Sequence, residues 1–233
     1  MKVTDINTVD DIRSSLDDHH YIANHGLATS IYLSLKMEKP IFLEGEPGVG
    51  KTEVGKVLSQ ILHTDLIRLQ CYEGLDVHNA IYEWNYSRQI LQIRMMEAEG
   101  QKDKEKISNE IFGSEFLIKR PLYQAIDHDG DNSPVLLIDE LDRADEEFEA
   151  FLLEILSDFQ ISIPEIGTIK SEKPPVVVIT SNRTREIHDA LKRRCLYHWI
   201  EYPSAEQEFE IVKRKIPEAN NVLGKQVVAF VQA

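Results

Sequence analysis

The octapeptide Gly45-Glu46-Pro47-Gly48-Val49-Gly50-Lys51-Thr52 carries the spacing G-x-x-x-x-G-K-[ST]. Glycines so placed let the backbone curl until successive N–H groups face a phosphate, with the positive end of a helix dipole behind them. Lys51 is then expected to reach the β- and γ-phosphates of a nucleotide, and Thr52 to offer its hydroxyl to Mg²⁺; Glu53 closes the phosphate-binding set. A second cluster, Asp139-Glu140, ends the apolar run Val135–Ile138. Asp139 is expected to hold a Mg²⁺-bound water, and Glu140 to orient and deprotonate an attacking water. A phosphate kinase needs no water activator because its acceptor is a hydroxyl, so the pair favours hydrolysis over transfer. Two carboxylates there would also suit a helix N-terminus, and the phosphate loop upstream tips the reading toward chemistry. Asn182, after the run Val176–Ile179, could hydrogen-bond the attacking water or the γ-phosphate, or serve as a turn or cap asparagine. Arg193 and Arg194 end a short helix before the last apolar run. A guanidinium fork suits γ-phosphate charge, and one of the two would act in trans if this helix end lies at a subunit edge. Dipole complementation at the helix C-terminus accounts for the other.

Groups this far apart in sequence need a scaffold. Pro40–Leu43, Leu66–Cys71, Val135–Ile138, Val176–Ile179 and Leu196–Ile200 read as short strands. Most are continuous apolar runs rather than period-2 patterns. Strands of that kind are buried on both faces, which implies an α/β fold with a mostly parallel sheet between helices. Helical spacing runs through Asp10–Met37 as one or two helices, then Thr52–Leu62, Tyr86–Lys106 and Leu141–Leu156. From Pro203 onward the pattern is purely helical, over Ala205–Ile216 and Asn221–Val231. The expected organisation is a nucleotide-binding core over 1–202, with N-terminal helices in 1–38, followed by a helical lid over 203–233. Phe159–Lys173 reads as a hairpin turning at Pro164 and Gly167. Tyr82 and Trp84 either pack one face of a strand-like segment or grip a client in a pore.

The 233 residues are 42% hydrophobic and 28% charged, an ordinary globular composition. Forty Asp and Glu against twenty-six Lys and Arg leave a net charge of −14, which disfavours nucleic-acid binding. No apolar run is long enough for a membrane span. The acidic N-terminus MKVTDINTVDD lacks a signal-peptide core, and Cys71 and Cys195 lack CxxC spacing, so a reducing cytoplasm is expected. His19, His20 and His25 show no metal-ligand spacing. The acidity is local: residues 139–160 hold nine carboxylates and one arginine. Apart from Asp139 and Glu140, these are expected to form the solvated face of one helix, with docking of a basic partner as the alternative.

The phosphate loop, Asp-Glu strand end, Ser-Asn strand end and Arg-Arg pair resemble, in order and spacing, the AAA+ ATPases. Asp139-Glu140-Leu141-Asp142-Arg143-Ala144 is similar to the D-E-[IL]-[ND]-R-A signature of the MoxR branch. Phe42–Glu53 and Phe159–Ile169 are similar to the same regions of CoxD-type proteins. The resemblance implies a P-loop NTPase core of three α-β-α layers, with a five-stranded parallel sheet of order 5-1-4-3-2, followed by an all-α lid. It implies ATP and Mg²⁺ at a subunit interface of a homo-oligomeric, usually hexameric, ring. Asn182 takes the sensor-1 place, and Arg193 or Arg194 the arginine-finger place. It also implies chaperone-like maturation or metal-centre assembly of a metalloenzyme client, with a von Willebrand factor A domain partner. Family lids have further helices, one bearing a second sensor arginine; Gly224–Ala233 contains none, so the lid here is expected to be partial. Two rival readings are a nucleotide-dependent assembly scaffold without turnover and a DNA-directed clamp-loader-like ATPase.

Overall fold

In a computed structural model, residues 5–100, 103, 107 and 110–216 are described. Their strands are β1 (Ile41–Gly45), β2 (Leu66–Gln70), β3 (Tyr82–Trp84), β4 (Leu117–Lys119), β5 (Val135–Asp139), β6 (Gln160–Ile163), β7 (Gly167–Lys170), β8 (Val176–Ser181) and β9 (Leu196–Ile200). The helices used below are α1 (Val9–Asp18), α2 (His25–Met37), α3 (Lys51–Leu62), α4 (Val77–Ile81), α5 (Tyr86–Ala98), α6 (Pro121–Ile126), α7 (Glu146–Asp158), α8 (Asp189–Lys192) and α9 (Ala205–Lys215).

The five apolar runs become one parallel sheet in the order β2-β5-β8-β1-β9. Numbered as the sheet's own strands along the chain, that is 5-1-4-3-2, the order the family resemblance implies. The central strands β5, β8 and β1 are continuous apolar runs because each is covered twice, whereas the edge strands β2 and β9 are only partly buried. Ile41, Leu43, Val135, Leu137 and Val178 join a core with α1, α2 and α3. Their alternating neighbours Phe42, Leu136, Ile138, Val177 and Ile179 join a second core with α6 and α7. Along β1, β5 and β8 polar groups are thereby confined to the carboxyl ends, which is where parallel sheets bind ligands.

Local signals set several boundaries. The N-terminal stretch is two helices, α1 opening on a capping box at Thr8, α2 capped by Asn24, with His20 at φ 61° between them. The helix expected over Tyr86–Lys106 stops at Ala98, where Gly100 adopts φ 84° and leaves the helical region. Tyr82 and Trp84 lie on β3, pair with β4 and are 9% and 7% exposed, so they pack and do not project. Phe159–Lys173 does contain a hairpin, β6 against β7, with Gly167 at φ 104° in its turn. The acidic stretch is not all solvated: Asp142 and Glu149 are 4% and 1% exposed, Glu149 being ion-paired to Arg185. A carboxylate can be buried there only because each one receives charged or backbone donors. The helix expected over Asn221–Val231 lies outside the described residues. Among those residues no helix is long and apolar enough to cross a membrane, and Cys71 and Cys195 are free.

Candidate functional site

β1 ends at Gly45 and the chain turns through Glu46–Gly50 into α3. Gly48 and Gly50 sit at φ 88° and 92°, a left-handed conformation that side chains resist. Lys51, 6% exposed, folds back so that its Nζ donates to the Gly45 and Glu46 carbonyls at 2.7 and 2.8 Å. Burial pushes its pKa down, opposed by the carboxylates of Asp142, Glu46, Asp139 and Glu140.

Parallel pairing of β5 between β2 and β8 carries the acidic pair to the same place. Asp139 is 2% exposed; its Oδ1 accepts the hydroxyls of Thr52 and Thr180 at 2.9 and 2.6 Å. Its Oδ2 accepts Arg68 Nε and Nη2 at 3.1 and 2.5 Å. Glu140 then leaves the sheet at φ 56°, its N–H donating to Thr180 Oγ1 at 2.9 Å. That turn separates the two adjacent carboxylates: Asp139 stays in the sheet, Glu140 looks outward. Gln70 Nε2 and Asn182 Nδ2 donate to Glu140 at 3.0 and 3.4 Å, and Arg143 pairs with it at 3.0 Å.

The structure thus brings Pro47, Gly48, Gly50–Glu53, Asp139, Glu140 and Asn182 around one cavity of about 310 Å³. Gly45 and Glu46 enter through the carbonyls that hold Lys51, and Val49 lines an adjoining cavity of about 350 Å³. That second cavity has apolar walls from Ile22, Leu27, Ile200 and Ile211, and meets the first at Gly48, Gly50, Glu53 and Lys215. Arg193 and Arg194 are not brought to this cavity. Both are exposed just after α8, where Arg194 donates to the Leu153 carbonyl at 3.4 Å.

Several residues at the site were not singled out from sequence: Arg68, Gln70, Thr180 and Lys215. Arg68 and Gln70 had a readable signal. They alternate with buried Ile67 and Leu69 on a strand, so something polar had to face them. Thr180 and Lys215 had none.

The donor chemistry fits a small divalent cation. Thr52 Oγ1 and Asp139 are hard oxygen ligands in hydrogen-bond contact, beside a loop shaped for phosphate. Among the described residues no group of three or more His, Cys, Asp or Glu could hold a metal. A cation here would have one or two protein ligands and take the rest from phosphate and water, as magnesium commonly does.

Residues 40–195 match the family model of the AAA domain, dynein-related subfamily. The chain belongs to that family. The AAA domain accordingly has the fold of AAA+ ATPases, and the matched span runs from the residue before β1 to the residue before β9. A crystal structure of a candidate ATPase from Cytophaga hutchinsonii superposes with a TM-score of 0.59 at 18% identity, covering 95% of this chain and 62% of that one. The likeness is one of fold, and the chain spans less than two thirds of that protein's length. The Thermotoga maritima RuvB Holliday junction branch migration motor aligns with a TM-score of 0.48 at 17% identity, over 87% of this chain and 53% of that one. No curated protein matches the sequence significantly.

Proposed function

We propose that this AAA domain is a magnesium-dependent ATP hydrolase, of the MoxR type, that remodels a client protein. The observation that carries the hydrolase reading is the geometry of Glu140. Turned out of β5, it borders the phosphate-loop cavity and is held by Gln70, Asn182 and Arg143. A carboxylate in that position can take a proton from water as the water oxygen attacks the γ-phosphorus and the bond to the β–γ bridging oxygen breaks. Asn182 has an amide to orient the water. Lys51 supplies positive charge to the phosphates, using the one ammonium proton that the Gly45 and Glu46 carbonyls leave over. Thr52 and Asp139 would hold magnesium, which neutralises phosphate charge when bound. The adjoining cavity beside the loop, with its mixed apolar and polar lining, suits a nucleoside and is closed on one side by α9.

The arginines belong to the same proposal. Arg193 or Arg194 serves a neighbouring subunit's site in a homo-oligomeric ring, a hexamer by family resemblance. A cleft of about 1060 Å³, lined by Glu73, Asp142, Asp145 and Glu146 together with Arg143 and Arg185, offers carboxylates to an incoming arginine. Chaperone-like maturation of a metalloenzyme, with a von Willebrand factor A domain partner, rests on the resemblance of the 42–53, 139–144 and 159–169 stretches alone. The division into a core over 1–202 and a lid over 203–233 is likewise part of this reading, as is a site in the cytoplasm.

Phosphate release at high protein concentration tests the hydrolase. The parent chain is expected to turn over ATP; Glu140→Gln to bind nucleotide but lose turnover by roughly 10²-fold or more; Lys51→Ala to lose nucleotide binding. Tight ATP binding with no release from the parent chain would identify a scaffold instead.

A further inference from the structure

Asp139 receives four hydrogen bonds, two on Oδ1 from Thr52 and Thr180 and two on Oδ2 from Arg68. A carboxylate offers about four lone-pair sites, so this one is saturated. A cation, or a water bound to one, can use Asp139 only if a donor yields. Thr180 is 1% exposed and simultaneously accepts the Glu140 N–H, which fixes it. Thr52 need not yield, because its hydroxyl can keep its proton on Asp139 while an oxygen lone pair turns to the metal. Arg68 is different in every respect. Its side chain is 48% exposed, it stands on the edge strand β2, and the Gln70 side-chain carbonyl is a second acceptor already in contact. Its fixed positive charge also opposes the arrival of a divalent ion at the same carboxylate.

We propose that Arg68 is a cationic placeholder on Asp139, orienting the carboxylate in the nucleotide-free site and releasing Oδ2 when magnesium-nucleotide arrives. Arg68 is a positioning residue: it acts through Asp139 and sets the affinity for the metal. The inference rests on the reading of this cavity as a magnesium-nucleotide site.

The test is a titration of N-methylanthraniloyl-ATP fluorescence in EDTA, followed by added Mg²⁺, on the parent chain, Arg68→Met and Arg68→Lys. Without metal, Arg68→Lys is expected to bind the nucleotide like the parent, and Arg68→Met no more tightly than the parent, since a nearby positive charge is lost. Arg68→Met is expected to lower the half-saturating Mg²⁺ concentration roughly tenfold, the effect of one unit charge removed near a divalent ion in water. Arg68→Lys, which keeps the charge, should stay close to the parent. Unchanged or weakened Mg²⁺ affinity in Arg68→Met, measured at saturating nucleotide, would overturn the placeholder and leave Arg68 a structural brace. Absence of nucleotide binding by the parent chain would instead overturn the reading of the cavity, and the placeholder with it. A measurement on the parent chain covers the case in which Arg68→Met does not fold. The Nε resonance of Arg68, assigned by its loss in Arg68→Lys, should move on adding Mg²⁺ to the nucleotide complex; a resonance that stays put overturns the proposal.

Discussion

Asp142 accepts the Asn182 and Thr184 backbone N–H groups and the Thr184 hydroxyl at 3.1, 2.9 and 2.6 Å, tying the loop after β5 to the loop after β8. Burial pushes its carboxyl up, but the Thr184 and Asn182 bonds outweigh burial and hold it below the usual carboxylate range. A carboxyl lowered on folding contributes stability above its unfolded pKa, near 3.9, and loses it as the pH falls through the lower folded value. Asp142→Asn keeps the shape but presents an amide to Thr184. It is expected to destabilise the fold by about 1–3 kcal/mol at pH 7, with the difference from the parent vanishing below the folded pKa. Urea unfolding of both proteins across the acid range measures this. An equal difference at acid and neutral pH would assign the loss to packing.

Elements matter here through contacts that leave no room. A Cβ on Gly45 would stand 2.4 Å from the Ile200 carbonyl, so the last residue of β1 is a glycine because β9 passes directly against it. Gly45→Ala must push β9 aside or tilt the phosphate loop. The expected cost is about 1–3 kcal/mol, as for other overpacked sites, together with loss of nucleotide affinity. Chemical denaturation and nucleotide titration of the same variant check the two effects. Register is equally demanding. Gln70 stands opposite Asp139, so Arg68 and Gln70 face the acidic pair. A slip of one residue would turn both side chains to the other face of the sheet. α9 is anchored in the same way, by Arg214 to Asp17 and by Lys215 to Glu53 at 3.4 Å.

Across the whole molecule, the phosphate loop, the ends of β5 and β8, the connection between α1 and α2, the end of β9 and α9 between them line the two adjoining cavities, whereas Arg193 and Arg194 lie outside them. That division predicts complementation between subunits. Glu140→Gln supplies intact arginines but no water activator. A variant with Arg193→Ala and Arg194→Ala supplies the reverse. Each alone is expected to be nearly inactive, and mixing them to restore part of the parental phosphate release, rising with protein concentration. Full turnover by the double arginine variant alone would refute the assignment in trans.

The phosphate loop and the strands were legible without coordinates because their signals are local. A glycine spacing, a helix start or an apolar run is complete within a few residues and depends on sterics and burial alone. The hairpin within 159–173 was legible for the same reason, whereas the choice between one and two N-terminal helices and the packing of Tyr82 and Trp84 were left for the tertiary structure to decide. The sheet order came from family resemblance, since apolar patterning is the same for any order of buried strands. What only the tertiary structure decided is which polar groups meet. Arg68 on β2, Thr180 on β8 and Thr52 on α3 converge on one carboxylate of β5, while Lys215 arrives from the far end of the chain. Such pairings depend on strand register and crossovers, and a residue's own neighbours in sequence carry no trace of them. The acidic stretch 139–160 makes the point in reverse. Its composition reads as a solvated surface, yet Asp142 and Glu149 are buried, because the partners that make burial tolerable are supplied by residues 182–188, about forty positions downstream.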